Sequence, residues 1–176
     1  MLLLYHEEED RMSAVVIYSG KYGSTRQYAE WIAEDLSAQV KPAKQAGEGD
    51  LAGADTVVLG SSVQVESLTM KAWIGRHWPV LKGKRVILYS VSATNPADEP
   101  AIKAILQRSL TPEMISHVRF FPLHGRIRLA DYGFPLRQIM KAMMKSDKGS
   151  GSGAAGEFDF VKRENTAPIV AAARSR

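Results

Sequence analysis

"VVIYSGKYGSTRQYAEWIAEDL", residues 15–36, runs from a dense apolar stretch through a knot of small polar residues into a periodic segment. Val15 to Tyr18 are β-branched or aromatic, as in a strand covered on both faces. Tyr28, Ala29, Ile32, Ala33 and Leu36 then recur at helical spacing, and Ser24 with Gln27 fits a capping box. The residues between, Ser19, Gly20, Lys21, Tyr22, Gly23, Ser24 and Thr25, form either a plain capped turn or a cradle for an anion. A helix N-terminus offers unpaired N–H groups and the positive end of its dipole. Gly20 and Gly23 allow close backbone approach, Ser19, Ser24 and Thr25 add hydroxyl donors, and Lys21 adds charge. The loop has neither the Gly-Lys-Ser/Thr ending of a nucleotide loop nor a Gly-x-Gly-x-x-Gly pattern. Its hydroxyl-rich chemistry suits a terminal phosphomonoester.

Working outward, "AQVKPAKQA" (38–46) is a weak strand broken by Pro42, and "GEGDLAGA" a loop or turn. "DTVVLGSSV" (55–63) is a second buried strand, followed by a helix with Met70, Trp73, Ile74, His77 and Trp78 roughly on one face and a stop near Pro79. Trp73 and Trp78 read as core and interface aromatics. "KRVILYSVSAT" (84–94) is a third strand; Pro100 opens a helix bearing Ile102, Ile105, Leu106 and Leu110; "HVRFFPL" (117–123) is a fourth strong strand. This alternation predicts an α/β doubly wound parallel sheet with helices on both faces. Ligands in such sheets sit beyond the carboxyl ends of the strands. Three strands end there in Ser/Gly/Thr clusters: Ser19 and Gly20, Gly60 to Ser62, and Ser90 to Thr94.

The rhythm breaks over about 124–157. "HGRIRLADYGFPLRQIMKAMMK" reads as an irregular connection and a helix with Leu136, Ile139, Met140 and Met143 inward, and "SDKGSGSGAAGE" has the composition of a flexible loop. "NTAPIVAAA" closes the chain as a short helix capped by Asn165 or Thr166. The expected organisation is an N-terminal arm, 1–13, and one domain, 14–176, without internal repeat.

The chain has 176 residues, 45% hydrophobic, enough for one sizeable core. It contains no cysteine, which excludes disulfides, thiolate nucleophiles and Cys-ligated clusters and assigns any redox chemistry to a bound cofactor. His6, His77, His117 and His124 are scattered without metal-ligand spacing, so no metal is expected. The net charge of +4 comes without a dense Lys/Arg tract, so no nucleic-acid partner is expected. The opening "MLLLYHEEEDRM" lacks a signal peptide's basic lead and long apolar core, and no run approaches the roughly 18 apolar residues of a membrane span. The expectation is a cytoplasmic protein.

"YSGKYGSTRQYAEWIAEDL" resembles the FMN-phosphate loop and first helix of the flavodoxin fold. Within that fold, "GSSVQVESLTMKAWI", "RVILYSVSATNP" and the tail "HGRIRLADYGFPLRQIMKAMMK" are most similar to the menaquinone-dependent protoporphyrinogen oxidase-like flavodoxins. The resemblance covers nearly the whole chain from Ala14. It implies that Ser19, Lys21, Tyr22, Gly23, Ser24 and Thr25 hold the FMN phosphate. It also implies that Ser61, Ser62, Val63 and Gln64 border the ring, with Ser90, Val91, Ser92 and Ala93 on its other side. One departure stands out: residues 61–68 and 90–99 contain no aromatic to sandwich the ring, which leaves room for a flat substrate or lowers affinity.

Arg126 and Arg128 precede the last long helix, and Arg137, Lys141 and Lys145 follow at four-residue spacing. Their bland reading is a solvated face; the sharper one pairs the arginines with carboxylates of a tetrapyrrole. His124, Arg126 and Arg128 are the substrate-contact candidates. The leading expectation is an FMN-dependent oxidoreductase of protoporphyrinogen-oxidase type, serving haem biosynthesis with a quinone acceptor and peripheral contact with the inner face of a membrane. The alternative is an FMN electron carrier serving a dedicated partner reductase. A regulatory protein that has lost FMN is the third.

Overall fold

The computed structural model describes residues 13–128, 133–135, 137–138 and 157–175. Five parallel strands lie in the order β2-β1-β3-β5-β6: β1 is Ala14–Ser19, β2 Gln39–Pro42, β3 Thr56–Gln64, β5 Arg85–Ser92 and β6 Arg119–His124. A two-residue strand, β4 (Ser67–Leu68), folds back antiparallel on the end of β3. The register carries Ser19 beside Ser61 and Ser61 beside Ser90, so the three small-residue strand ends arrive at one edge. This is the expected doubly wound, flavodoxin-like arrangement.

Alternation along the strands divides the core into two layers. Val15, Ile17, Val57, Leu59, Val86 and Leu88 face one side, where α2 (Glu48–Ala52), α3 (Lys71–Leu81), α4 (Glu99–Ser109) and α5 (Pro112–His117) contribute Leu51, Ile74, Trp78, Ile102 and Met114. Val16, Val58, Ile87 and Tyr89 face the other, covered by Tyr28, Ala29 and Ile32 of α1 (Ser24–Leu36) and by Ile169, Val170 and Ala173 of α6 (Ala167–Arg174). Each of these residues loses nearly all its contact with water, worth roughly 1.5–3 kcal/mol for a large aliphatic side chain.

Several local expectations change. The capping box at Ser24 and Gln27 does not form: Gly23, at φ +88°, caps α1 with no side-chain bond, and Ser24 is already helical. "GEGDLAGA" is no simple turn, because Asp50 Oδ2 accepts from Gly47 N–H at 3.0 Å, Asp50 pairs with Lys41, and buried Leu51 anchors the short α2. That pairing with Lys41 holds the Asp50 carboxyl below its usual pKa. The third helix passes Pro79 to Leu81, since a proline in the last turn omits a single bond and Lys82 N–H still reaches Trp78 O at 3.0 Å. At α6, neither candidate cap bonds the helix. Asn165 instead donates to Tyr28 Oη and Phe160 O, and Thr166 Oγ1 to Arg163 O.

The two described ends of the stretch after β6 are regular where the sequence reading expects an irregular connection and a loop. β7 (Arg126–Arg128) pairs antiparallel with β8 (Glu157–Asp159), a ribbon that brackets the connection between them. Arg137 N–H donates to Gly133 O at 2.9 Å, a helical turn within that connection. Leu136, Ile139, Met140, Met143, Lys141, Lys145, the loop 146–156 and the arm 1–12 lie outside the described residues. Among the described residues, no helix is long and apolar enough to cross a membrane.

Candidate functional site

At the carboxyl edge of the sheet, a cleft of about 360 Å³ opens between three strand-end loops and the β6–β7 connection. Its size falls in the range of small-molecule sites, about 300–1,000 Å³. One wall is built by the β1–α1 loop: Lys21, Tyr22, Ser24 and Thr25. A second comes from the end of β3 and its hairpin: Ser62, Val63, Gln64 and Val65. Val91, Ser92 and Ala93 supply a third, and Gly125 with Arg126 closes the rim.

The β1–α1 loop owes its shape to two glycines. Gly23 enters the left-handed region that glycine adopts at least cost and turns the chain into α1. Gly20 lies against Thr25, so that a Cβ there would sit 2.6 Å from Thr25 Oγ1. With no side chain capping α1, the N–H groups of its first turn have no intrahelical acceptor. Ser24 and Thr25, 8% and 2% exposed, bring hydroxyls to the same place. Ser24 Oγ accepts from Arg126 N–H at 3.1 Å, which leaves its proton to donate. This donor set, with the Lys21 ammonium nearby, fits a phosphate.

The cradle is braced from below. Tyr89 Oη donates to Thr25 O at 3.0 Å through the core, and burial pushes its phenol well above the usual pKa. Thr69 Oγ1 donates to Ser19 O at 3.1 Å and lies 3.3 Å from Ser62 Oγ, tying the β3–β4 hairpin to the end of β1. Tyr28 Oη donates to His124 O at 2.9 Å, which joins α1 to the end of β6. Burial raises the Tyr28 pKa as well, against the hydrogen bond from Asn165.

The expected site residues divide. Lys21, Tyr22, Ser24, Thr25, Ser62, Val63, Gln64, Val91, Ser92, Ala93 and Arg126 line the cleft together. Gly20 and Gly23 shape it without lining it, and Ser19 contributes its carbonyl to Thr69. Ser61 and Ser90 depart from expectation: both are fully buried. They lie one and two residues short of the cleft-lining Ser62 and Ser92; Ser61 Oγ accepts from Met70 N–H at 3.1 Å, and Ser90 Oγ has no partner among the described residues. His124 also lies off the cleft lining. Its ring stacks on Phe160 at 3.9 Å and 6°, and its Nε2 bonds Ala93 O at 3.0 Å. Arg128 lies in β7, and its side chain is outside the described residues.

Sequence reasoning missed Val65, Gly125 and Asp159. Arg126 pairs with Asp159, Nη2 to Oδ2 at 2.7 Å, across the β7–β8 ribbon. No local pattern links positions 126 and 159. Gly125 carried a signal, a glycine between His124 and Arg126; a Cβ there would meet Val91 Cγ1 at 3.0 Å.

Similar solved structures include the flavodoxin, WrbA-like protein from Agrobacterium tumefaciens, at 17% identity and TM-score 0.48, with 65% of this chain and 82% of that chain covered. Flavodoxin 2 from Bacillus cereus, in its oxidised form, gives 16% identity and TM-score 0.44 over 64% and 85%. A flavoprotein in complex with FMN from Lactobacillus acidophilus gives 15% identity and TM-score 0.41 over 64% and 92%. No curated protein matches the chain. The flavodoxin domain family matches residues 15–152, most of the chain, and the protein belongs to that family.

Proposed function

We propose that the cleft binds FMN, with the phosphate on the first turn of α1 and the ring between the β3 and β5 loops, and that the protein is a flavin-dependent oxidoreductase. The observation that carries this is the uncapped α1 N-terminus, opened by Gly23 and flanked by the Ser24 and Thr25 hydroxyls. When bound, FMN supplies the electron and hydride chemistry, and the protein orients the ring and its surroundings. Ser24 and Thr25 hold the phosphate, Lys21 offsets its charge, and Val63 and Val91 exclude water from the ring's edges.

The substrate reading goes further. Lys21 and Arg126 are the charged groups among the described cleft residues, with no carboxylate. Together with the lack of aromatics in the β3 and β5 loops, this favours a flat, carboxylate-bearing substrate such as a tetrapyrrole, oxidised at the flavin with a quinone as acceptor. A second reading, an electron carrier serving a partner reductase, is favoured by one observation: the described cleft residues include no His, Asp or Glu to act as acid or base near neutrality.

The test begins with the purified protein's visible absorption and an FMN titration followed by flavin fluorescence quenching. Anaerobic mixing with protoporphyrinogen, then reoxidation by a menaquinone analogue, separates the two readings. Flavin reduction by the tetrapyrrole supports the oxidase; a bound flavin inert to it leaves the carrier.

A further inference from the structure

We infer that His124 is a positioning residue that locks one peptide of the cleft wall, the one between Ala93 and Thr94, in a single orientation; this rests on the FMN reading above. Both polar ends of that peptide are held. The Ala93 carbonyl lies 3.0 Å from His124 Nε2, and the Thr94 N–H donates to Ser92 Oγ at 3.2 Å. A carbonyl can only accept, so His124 carries a proton on Nε2. Ser92 and Ala93 line the cleft, while His124 stands off it. Ala93 is exposed, so without the imidazole water would serve its carbonyl in either orientation of the peptide.

The imidazole is placed with more order than a surface loop requires. Its ring lies flat on Phe160, the centroids 3.9 Å apart and the planes at 6°. Its own carbonyl accepts from Tyr28 Oη at 2.9 Å, and the N–H of Gly125 donates to Ser92 O at 2.9 Å. Phe160 is fixed in turn, its carbonyl accepting from Asn165 Nδ2 at 2.9 Å. The end of β6 and the segment after β8 thus converge on one ring, and that ring gives its Nε2 to the cleft wall. The peptide cannot turn over without breaking two hydrogen bonds. The wall therefore keeps one shape and one pattern of polar groups before a ligand arrives, and such preorganisation strengthens binding by removing its ordering cost.

Three substitutions test this, read by FMN affinity, by the visible band of the bound flavin and by apo-protein melting. His124→Phe keeps an aromatic ring against Phe160 but has no Nε2–H. His124→Asn keeps a polar side chain whose amide is too short to reach Ala93 O. In both, the Kd for FMN rises about tenfold, equivalent to about 1.4 kcal/mol, and the visible band of flavin bound at saturation shifts. His124→Gln carries its amide nitrogen at the reach of Nε2, returning Kd to within about threefold and the band to its original position. If one loss variant fails to fold, the other decides. Unchanged Kd and band, whatever happens to melting, would overturn the inference and leave the FMN reading standing. So would a loss in His124→Gln equal to that in His124→Phe. If the unsubstituted protein shows no quenching at all, the FMN reading itself is wrong and the inference falls with it.

Discussion

Gly60 and Tyr89 face each other across β3 and β5, and a Cβ on Gly60 would lie 2.2 Å from Tyr89 Oη. The space glycine leaves is filled by the tyrosine ring, which crosses the core to reach Thr25 O at 3.0 Å. The first turn of α1, where the phosphate is proposed to sit, is thereby fixed from the centre of the sheet. A glycine on the neighbouring strand sets the position of the cradle.

Substituting Gly60→Ala therefore overpacks a fully buried layer. Neither the tyrosine ring nor the strand backbone has room to yield, and overpacking of this kind costs about 1–3 kcal/mol, with the upper end expected here. Urea denaturation measures it; a loss below about 0.5 kcal/mol would contradict the geometry.

Alkaline stability reports on the two buried phenols. Burial raises the pKa of Tyr89 and, less strongly, of Tyr28 above the ordinary value. A folded-state pKa above the unfolded one contributes stability that is complete below about pH 10 and is lost as pH rises through the folded value. The urea midpoint should thus be steady up to about pH 9 and fall beyond about pH 10. Tyr89→Phe should make that fall shallower and cost about 1 kcal/mol at neutral pH through the lost bond to Thr25 O.

Gly20→Ala acts on the site more than on the fold. The new Cβ would meet Thr25 Oγ1 at 2.6 Å and Thr25 Cβ at 2.7 Å, so Thr25 must move out of the cradle. FMN affinity, read by fluorescence quenching, should fall at least about tenfold, roughly 1.4 kcal/mol. Gly23→Ala meets no such neighbour but must hold φ +88°, and should cost about 1 kcal/mol in stability.

Charge reversal at Arg126 separates substrate from cofactor. Its guanidinium pairs with Asp159 at the surface, and such pairs are worth about 0.2–1 kcal/mol, so Arg126→Glu should fold. The backbone N–H that serves Ser24 Oγ is unchanged. FMN retention should change little, while flavin reduction by a carboxylate-bearing substrate slows far more. Equal loss of both would contradict this division.

The layers of the fold were written in local pattern. The β-branched runs at 15–18, 56–59 and 86–89 and the helical spacing from Tyr28 to Leu36 depend on nearest neighbours and a single period. The cluster of small residues from Ser19 to Thr25 likewise marks where a strand hands over to a helix with bare N–H groups. Which serines face the cleft was settled by how far along its strand each lies: Ser62 and Ser92 line it, whereas Ser61 and Ser90, one and two residues earlier on the same strands, are fully buried. The β7–β8 ribbon, the Arg126–Asp159 pair and the reach of Tyr89 to Thr25 join residues 29 to 64 positions apart. Such contacts have no period to read, because they form only when the packed sheet brings distant segments within hydrogen-bond range. Val65, at φ +48° in the turn between β3 and β4, was hidden for the opposite reason: its residue type argues against that turn, and only contacts from α4 and the end of β1 hold it there.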